Sequence, residues 1–563
     1  MNAVWGIRWD REDGRRRRLL LAGALVAVLA GVALLLISRG PAPVAMHAVI
    51  VRAEPGGLAA AQHAVERSGG TVGQALPVVD GFVAHVPAGS ERSLGASAGV
   101  VAVVGDGRMG GWAENPSEAA AATPGTSLDA VREAIGATQS GATGAGVDVA
   151  VVDTGMVPVP ALAGAGKVVQ GPDFSNQSRD SHLAHLDTFG HGTHLAGIIA
   201  GDDKASGFRG VAPGARLVNV KAAGADGSTT LAAIVASVGW VIAHRNDNGL
   251  HVRVLNLSFG TPPKRYEGDL LAYAVEQAWK AGIVVVVSAG NEGEKGRGLT
   301  SPGYDPFVLS VGADDLAGTA AVGDDVVPTW SSRGAGRNPD LVAPGRSIVS
   351  LRDPNSFVDA AFPGGRVNDA AGRFFRGSGT SQATAIVSGL VADLLSKYPN
   401  MTPDQVKGVL RSNATPLAGV STNLQGAGDV SVANLGGLKL SSVPAYTQTF
   451  PAADGTGSLE ASRGTAHLYK ADGTMLTGEM TVFGVPFDGN SWSNNAWDGN
   501  SWSGGSWSGN SWSGNSWSGD VWTGNSWSGN SWSGNSWSGN SWSGNSWSGN
   551  SWSGTTWASS DWS

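Results

Sequence analysis

Cysteine is absent from all 563 residues. That excludes a disulfide framework, a catalytic thiol and any thiolate metal site. It does not fix the compartment, because a large core survives outside the cell without crosslinks. Charge is also scarce: only 15% of residues are Asp, Glu, Lys or Arg, and the formal net charge is −8. Such a balance carries no basic footprint for nucleic acid, which is not an expected partner. From Trp492 to Trp562 the chain has no Lys, Arg or Glu at all. What is plentiful is hydrophobic residue, at 42%, ample for a packed core. The length exceeds the ~250–300 residues at which single cores stop growing, so one large domain with appended parts is expected.

A long apolar run stands near the start. Arg15, Arg16, Arg17 and Arg18 precede an uncharged stretch from Leu19 to Ile37. At 1.5 Å per helical residue this stretch spans roughly 28 Å, close to the ~30 Å hydrocarbon core of a bilayer. The basic cluster is expected to stay in the cytoplasm and send the rest of the chain across the membrane. Two fates stay open, a retained anchor and a removed signal. The run is long for a signal peptide, and no clean cleavage site follows in Arg39–Ala45. Either fate makes the expected location extracellular or cell-surface, with residues 19–37 as the membrane contact.

Patterning divides the remainder. Residues 1–45 hold the basic start and apolar run. Residues 46–106 alternate strand-like His47–Arg52, helical Leu58–Ser68, and strand-like Phe82–Val86 and Val100–Val104, which suits a small ferredoxin-like α/β unit. Residues 107–127 are rich in Gly, Ala, Pro and Ser and read as a linker. Over 128–436, apolar β-branched runs (Val147–Val152, Leu217–Val220, Val252–Leu257, Ile283–Val287, Val308–Val311) alternate with helical stretches such as Thr230–Arg245, Asp269–Ala281 and Ser381–Leu395. Strands buried on both faces read this way, so the fold class is α/β, a mostly parallel sheet with helices on both sides. Residues 437–486 form a small extension, and 487–563 a repetitive tail. Fifteen tryptophans recur there at every fifth residue, within a Gly-Asn-Ser-Trp-Ser unit.

Three segments of the large domain carry chemistry. Val151-Val152-Asp153-Thr154-Gly155 ends an apolar strand in a carboxylate and a glycine turn. Gly190-His191-Gly192-Thr193-His194 opens a helix with a glycine-flanked histidine, and Gly379-Thr380-Ser381-Gln382-Ala383 opens another with a serine. A serine hydroxyl is a weak nucleophile until an imidazole takes its proton, and the imidazole needs a carboxylate to fix its tautomer. Asn291, in Ser288-Ala289-Gly290-Asn291-Glu292-Gly293 past a central strand, can aim an amide N–H at a developing oxyanion. Alone, each residue has a bland reading as turn former or cap; the conjunction does not.

At these residues the sequence resembles the subtilisin family, which orders its triad Asp, His, Ser. Leu255-Asn256-Leu257-Ser258-Phe259-Gly260, Gly210-Val211-Ala212-Pro213, Trp330-Ser331-Ser332-Arg333-Gly334 and Val342-Ala343-Pro344-Gly345 extend the likeness over about 128–435. The resemblance implies a serine endopeptidase acting on protein or peptide substrates. Its triad would be Asp153, His191 and Ser381, with Asn291 in the oxyanion hole and Ser258, Phe259, Gly260, Ala289 and Gly290 bordering the substrate. It implies that residues 46–106 are an inhibitory propeptide, an intramolecular partner cut off after folding. It implies no cofactor for the chemistry; structural calcium is a family expectation without assigned ligands, and the loop acids Asp202, Asp203, Asp314 and Asp315 show no ligand pattern. Gln382 and Ala385 stand where the family often has Met and Pro, which leaves the chemistry intact.

Other residues stay with simpler readings. His194 is expected to pack or hydrogen-bond, since no H-E-x-x-H site is present. His182 and His185 read as solvated loop residues, and Asp187 as a turn or cap. The tail admits stacked solenoid coils, a row of indoles binding glycan or cell wall, or a flexible Gly/Ser/Asn segment. A surface adhesion or display protein with a relic protease fold is the alternative function.

Overall fold

The computed structural model describes residues 45–110, 125–261, 266–296, 298–433 and 445–455, together with 501–513, 516–538, 541–553 and 556–558 of the tail. The apolar run 19–37, most of the expected linker and nearly all of the 437–486 extension outside 445–455 lie beyond the described residues. Among the described residues, no helix is long and apolar enough to cross a membrane.

The amino-terminal domain follows the order β1 (Met46–Ala53), α1 (Leu58–Arg67), β2 (Thr71–Leu76), β3 (Gly81–Pro87), α2 (Glu91–Gly95) and β4 (Val100–Gly105). The four strands form an antiparallel sheet in the order β2-β3-β1-β4. That is the ferredoxin-like arrangement expected from the sequence. The β2 strand carries Gly73 and Gln74 and is mostly exposed, so it offered little apolar signal. Buried Ile50, Leu76 and Val79 join the core of the large domain, while Val49, Val51, Val65 and Phe82 belong to a core within the small one. A further strand, β5 (Arg108–Gly110), begins the stretch read as linker. Three residues are too few to show a period.

In the large domain, β6 (Asp148–Asp153), β7 (Val168–Asp173), α3 (His191–Ala200), β8 (Arg216–Lys221), β9 (Ser228–Thr230), α4 (Leu231–His244), β10 (Val252–Leu257), α5 (Leu270–Lys280), β11 (Val284–Ser288), β12 (Leu309–Asp314), β13 (Leu341–Pro344), α6 (Thr380–Lys397) and α7 (Pro403–Asn413) succeed one another. Seven strands make a parallel sheet in the order β13-β12-β11-β10-β6-β8-β7. Every residue of β6 and β11 is buried, as a strand covered on both faces requires. The edge strands β7 and β13 escaped the sequence reading, because one is half-exposed and holds Gly-Pro and the other has four residues. Helices start where side chains satisfy their free N–H groups: Thr230 accepts from Ala233 N–H, and Asp269 from Leu271 N–H. The chain leaves β6 to one side of the sheet and then builds the other side from β10. A crevice opens at the carboxyl ends of strands beside such a reversal.

The tail backbone forms four parallel strands, β14 (Ser501–Ser513), β15 (Ser516–Ser538), β16 (Ser541–Ser553) and β17 (Thr556–Ala558). Each residue pairs with the one fifteen positions on, so Trp502 faces Trp517 and Trp527 faces Trp542. Three pentapeptides therefore separate the residues paired on neighbouring strands.

Candidate active site

The crevice is lined by residues that the strand ends deliver. Asp153 is the last residue of β6 and only 1% exposed. His191 opens α3, brought against the β6 end by an unusually close approach: a Cβ on Gly192 would lie 2.2 Å from the Gly155 carbonyl oxygen. Only glycine permits that contact. His191 Nδ1 donates to Asp153 Oδ1 at 2.8 Å and lies 3.1 Å from Oδ2. A carboxylate only accepts, so Nδ1 carries the proton and Nε2 keeps its lone pair. Burial pushes the Asp153 carboxyl up from its ordinary value, while His191 and the Thr154 N–H pull it back toward the ionised form.

Ser381 is the second residue of α6, a helix that packs on α3. Its Oγ donates to the Ser258 carbonyl at 3.1 Å, and Ser258 Oγ returns a bond of 3.3 Å to the Ser381 carbonyl. Asn291 follows β11. Thr380 N–H and Oγ1 both donate to Asn291 Oδ1 at 2.9 Å. An N–H is a donor without ambiguity, so the amide is fixed with its oxygen on Thr380 and Nδ2 as its remaining donor group. Ser258, Phe259 and Gly260 continue from β10, and Ala289 and Gly290 from β11. Thr300 joins these two walls: a Cβ on Gly260 would lie 2.2 Å from Thr300 Oγ1, and one on Gly290 would lie 2.6 Å from Thr300 Cγ2.

Asp187, read as a turn or cap, is buried and accepts four hydrogen bonds. Thr154 Oγ1 (2.8 Å), Phe189 N–H (3.1 Å) and Gly190 N–H (2.7 Å) converge on Oδ1, and Thr193 N–H reaches Oδ2 at 2.8 Å. Thr154 Oγ1 in turn accepts from Gly192 N–H at 2.9 Å. This lattice ties the loop entering α3 to the β6 end. The only sequence signal was a carboxylate four residues before the histidine. His194 is buried, donates through Nε2 to the Phe375 carbonyl at 3.2 Å, and is pushed down to about 4 by burial first and His191 second. It stays neutral, in keeping with a hydrogen-bonding role. His185 departs from its expectation: it is half-buried, with its Nδ1 enclosed and its backbone at φ 65°.

The strand β9, also unforeseen, pairs antiparallel with β5, Thr229 facing Met109. Asp106 Oδ1 accepts from Ala232 N–H at the start of α4 at 2.8 Å. The strand that follows the amino-terminal domain is thus laid on β9 of the large domain.

Of the acids considered for calcium, Asp203 and Asp315 are engaged by neighbouring donors, whereas both oxygens of the buried Asp314 lack one. Asp203 accepts from Ser206 and Ala205 and faces Arg373, Asp315 pairs with Arg346, and Asp314 is buried beside Asp429. Among the described residues, no three His, Asp or Glu side chains converge as a metal cage.

Residues 144–428 match the model of the subtilase family of peptidases. The chain is 41% identical over 302 residues to serine protease AprX of Bacillus subtilis, covering 52% of this chain and 66% of that protein. It is 36% identical over 276 residues to subtilisin DY of Bacillus licheniformis, covering 49% and 85%. Among solved structures, fervidolysin from Fervidobacterium pennivorans, described as a keratinolytic enzyme related to subtilisin, superposes with a TM-score of 0.55 at 24% identity, covering 77% of this chain and 65% of that one. That likeness bears on fold alone. The chain belongs to the subtilase family and is a serine endopeptidase.

Proposed function

We propose that Asp153, His191 and Ser381 are the catalytic triad of an exported endopeptidase made as an inhibited precursor. The observation that carries this is the buried hydrogen bond from His191 Nδ1 to Asp153, which assigns Nε2 as the base, on a helix that packs against the one carrying Ser381. As the reaction starts, the Ser381 proton passes to His191 Nε2 instead of the Ser258 carbonyl, and Oγ attacks the substrate carbonyl carbon. The carbonyl π bond opens onto oxygen, and Asn291 Nδ2 with the Ser381 backbone N–H stabilises that oxyanion. His191 then gives its proton to the leaving amine as the C–N bond breaks, leaving an acyl-enzyme. Water repeats the sequence and frees Ser381. Ser258–Gly260, Ala289 and Gly290 border the residue before the scissile bond, with Thr300 between them shortening the slot.

Residues 46–106 are read as the inhibitory propeptide. The antiparallel pairing of β5 with β9 supports this, since an extended peptide added to a free strand edge is how a substrate would also bind. Export rests on the basic cluster and apolar run of residues 15–37, and the tryptophan repeat is a candidate contact with glycan or cell wall. Ser381→Ala is expected to abolish turnover and propeptide removal together. Labelling by a fluorophosphonate probe checks the assignment: an unlabelled parent chain would favour the adhesion reading, and casein cleavage by the alanine variant at the parent rate would end the triad assignment.

A further inference from the structure

We propose that residues 445–455 are a latch that holds the amino-terminal domain on the peptidase domain, so that the latch sets how fast that domain is released. The inference rests on reading 46–106 as a propeptide, and goes beyond it by naming what retains it.

The segment crosses three parts of the molecule in eleven residues. It is fastened first to α7: Tyr446 N–H donates to the Asp404 carbonyl at 2.9 Å, and the Tyr446 ring lies 4.6 Å from Lys407 Nζ and 5.2 Å from Arg411 Cζ. Cations over an aromatic face attract it. Next comes the surface of α5 and the turn before it. Tyr266 Oη donates to the Pro451 carbonyl at 3.1 Å, and Ala453 N–H donates to Glu276 Oε1 at 2.6 Å. Ala453 is 4% exposed and Glu276 fully buried, so this bond is sealed from water.

The last contact reaches the amino-terminal domain. Arg52, at the end of β1, is only 6% exposed. Its Nε donates to the Val79 carbonyl of its own domain at 2.9 Å, its Nη1 donates to the Asp454 carbonyl, and its Cζ lies 4.4 Å over the Tyr273 ring of α5. One buried guanidinium is thus shared by the amino-terminal domain, the peptidase domain and the latch. A buried cation stripped of partners is costly, so the three parts hold one another. Gly455, at φ 64°, fits between them without room to spare: a Cβ there would lie 3.0 Å from Arg52 Nη1 and 3.1 Å from Tyr273 Cβ. None of these residues belongs to the crevice.

The test uses the full chain. After autoprocessing, release of the amino-terminal fragment is followed as the rise in hydrolysis of a chromogenic peptide. Gly455→Val, which leaves the small domain's own core untouched, and Arg52→Ala should each speed release by at least about tenfold, with the same final kcat. In the uncleavable Ser381→Ala chain, Gly455→Val should raise hydrogen exchange in β5 and α5. Parent-like release and exchange in the Gly455→Val chain would overturn the latch. A parent chain that is fully active with the domain still attached would overturn the propeptide reading instead, and the exchange measurement would still decide the latch.

Discussion

Four donors converge on the Asp187 carboxylate, and an amide cannot accept them all, because its NH2 group would face an N–H. Asp187→Asn should therefore loosen the loop that carries His191. Its kcat should fall about 10–100-fold with KM little changed, and stability by about 3 kcal/mol, read by steady-state kinetics and urea titration. Asn291→Ala should lower kcat by ~10²–10³, again at nearly constant KM; that magnitude is established for a subtilisin and is carried over within the family. Thr300→Gly should deepen the slot between Gly260 and Gly290 and shift a peptide-library profile toward larger side chains before the scissile bond. Asp153, His191, Ser381 and Asn291 stood out in the sequence because each sits in a glycine-rich motif. Asp187 and Thr300 were not: one stands in a polar loop, the other some ten residues past Asn291, and only folding brings them to their partners.

Elements differ in how clearly they announced themselves. Central strands β6, β10 and β11 are unbroken apolar runs and could be read directly. Helix α6 begins within one residue of its expected start, because Gly379 breaks the preceding pattern. The short strands β5 and β9 stayed hidden, since three residues cannot display alternation and their pairing joins positions over a hundred residues apart. Their ladder predicts that a synthetic peptide of residues 104–110 inhibits the mature enzyme competitively. KM for a peptide substrate should rise with inhibitor while kcat holds; a fall in kcat alone would place the peptide elsewhere.

The whole molecule buries an unusual set of carboxyls. Burial, aided by Asp187 and Asp359, pushes Asp353 up to about 8. Burial raises Asp393 to about 8 against the pull of Arg132, and raises Asp429 to about 7 and Asp325 to about 6. Each holds a proton in the folded chain that the unfolded chain releases near pH ~4. The native state therefore binds more protons between pH ~4 and these raised values, and stability must fall as pH climbs through that window. Asp340 and Asp359 work the other way. Burial would raise both, but Arg337, Lys407 and Arg411 around the first, and Arg352 and Arg366 around the second, hold them below the ordinary range. Their contribution is present above pH ~4 and lost as pH falls toward their folded values. Thermal stability should therefore peak near about pH 4 and decline toward pH 8. Asp393→Asn should flatten that decline by up to about 1.4 kcal/mol per pH unit, measured by denaturation at each pH. Hydrolysis needs His191 unprotonated, so activity should favour a higher pH than stability does.

The sequence by itself determined what local pattern can encode: which runs are buried strands, where glycines let helices start beside the chemistry, and which three residue types must meet. Tertiary structure decided what depends on distance across the fold. It brought Asp187 under the β6 end, set Thr300 between two walls, laid β5 on β9, and carried residues 445–455 back to Arg52. No periodicity records such contacts, because the partners share neither an element nor a neighbourhood in the chain.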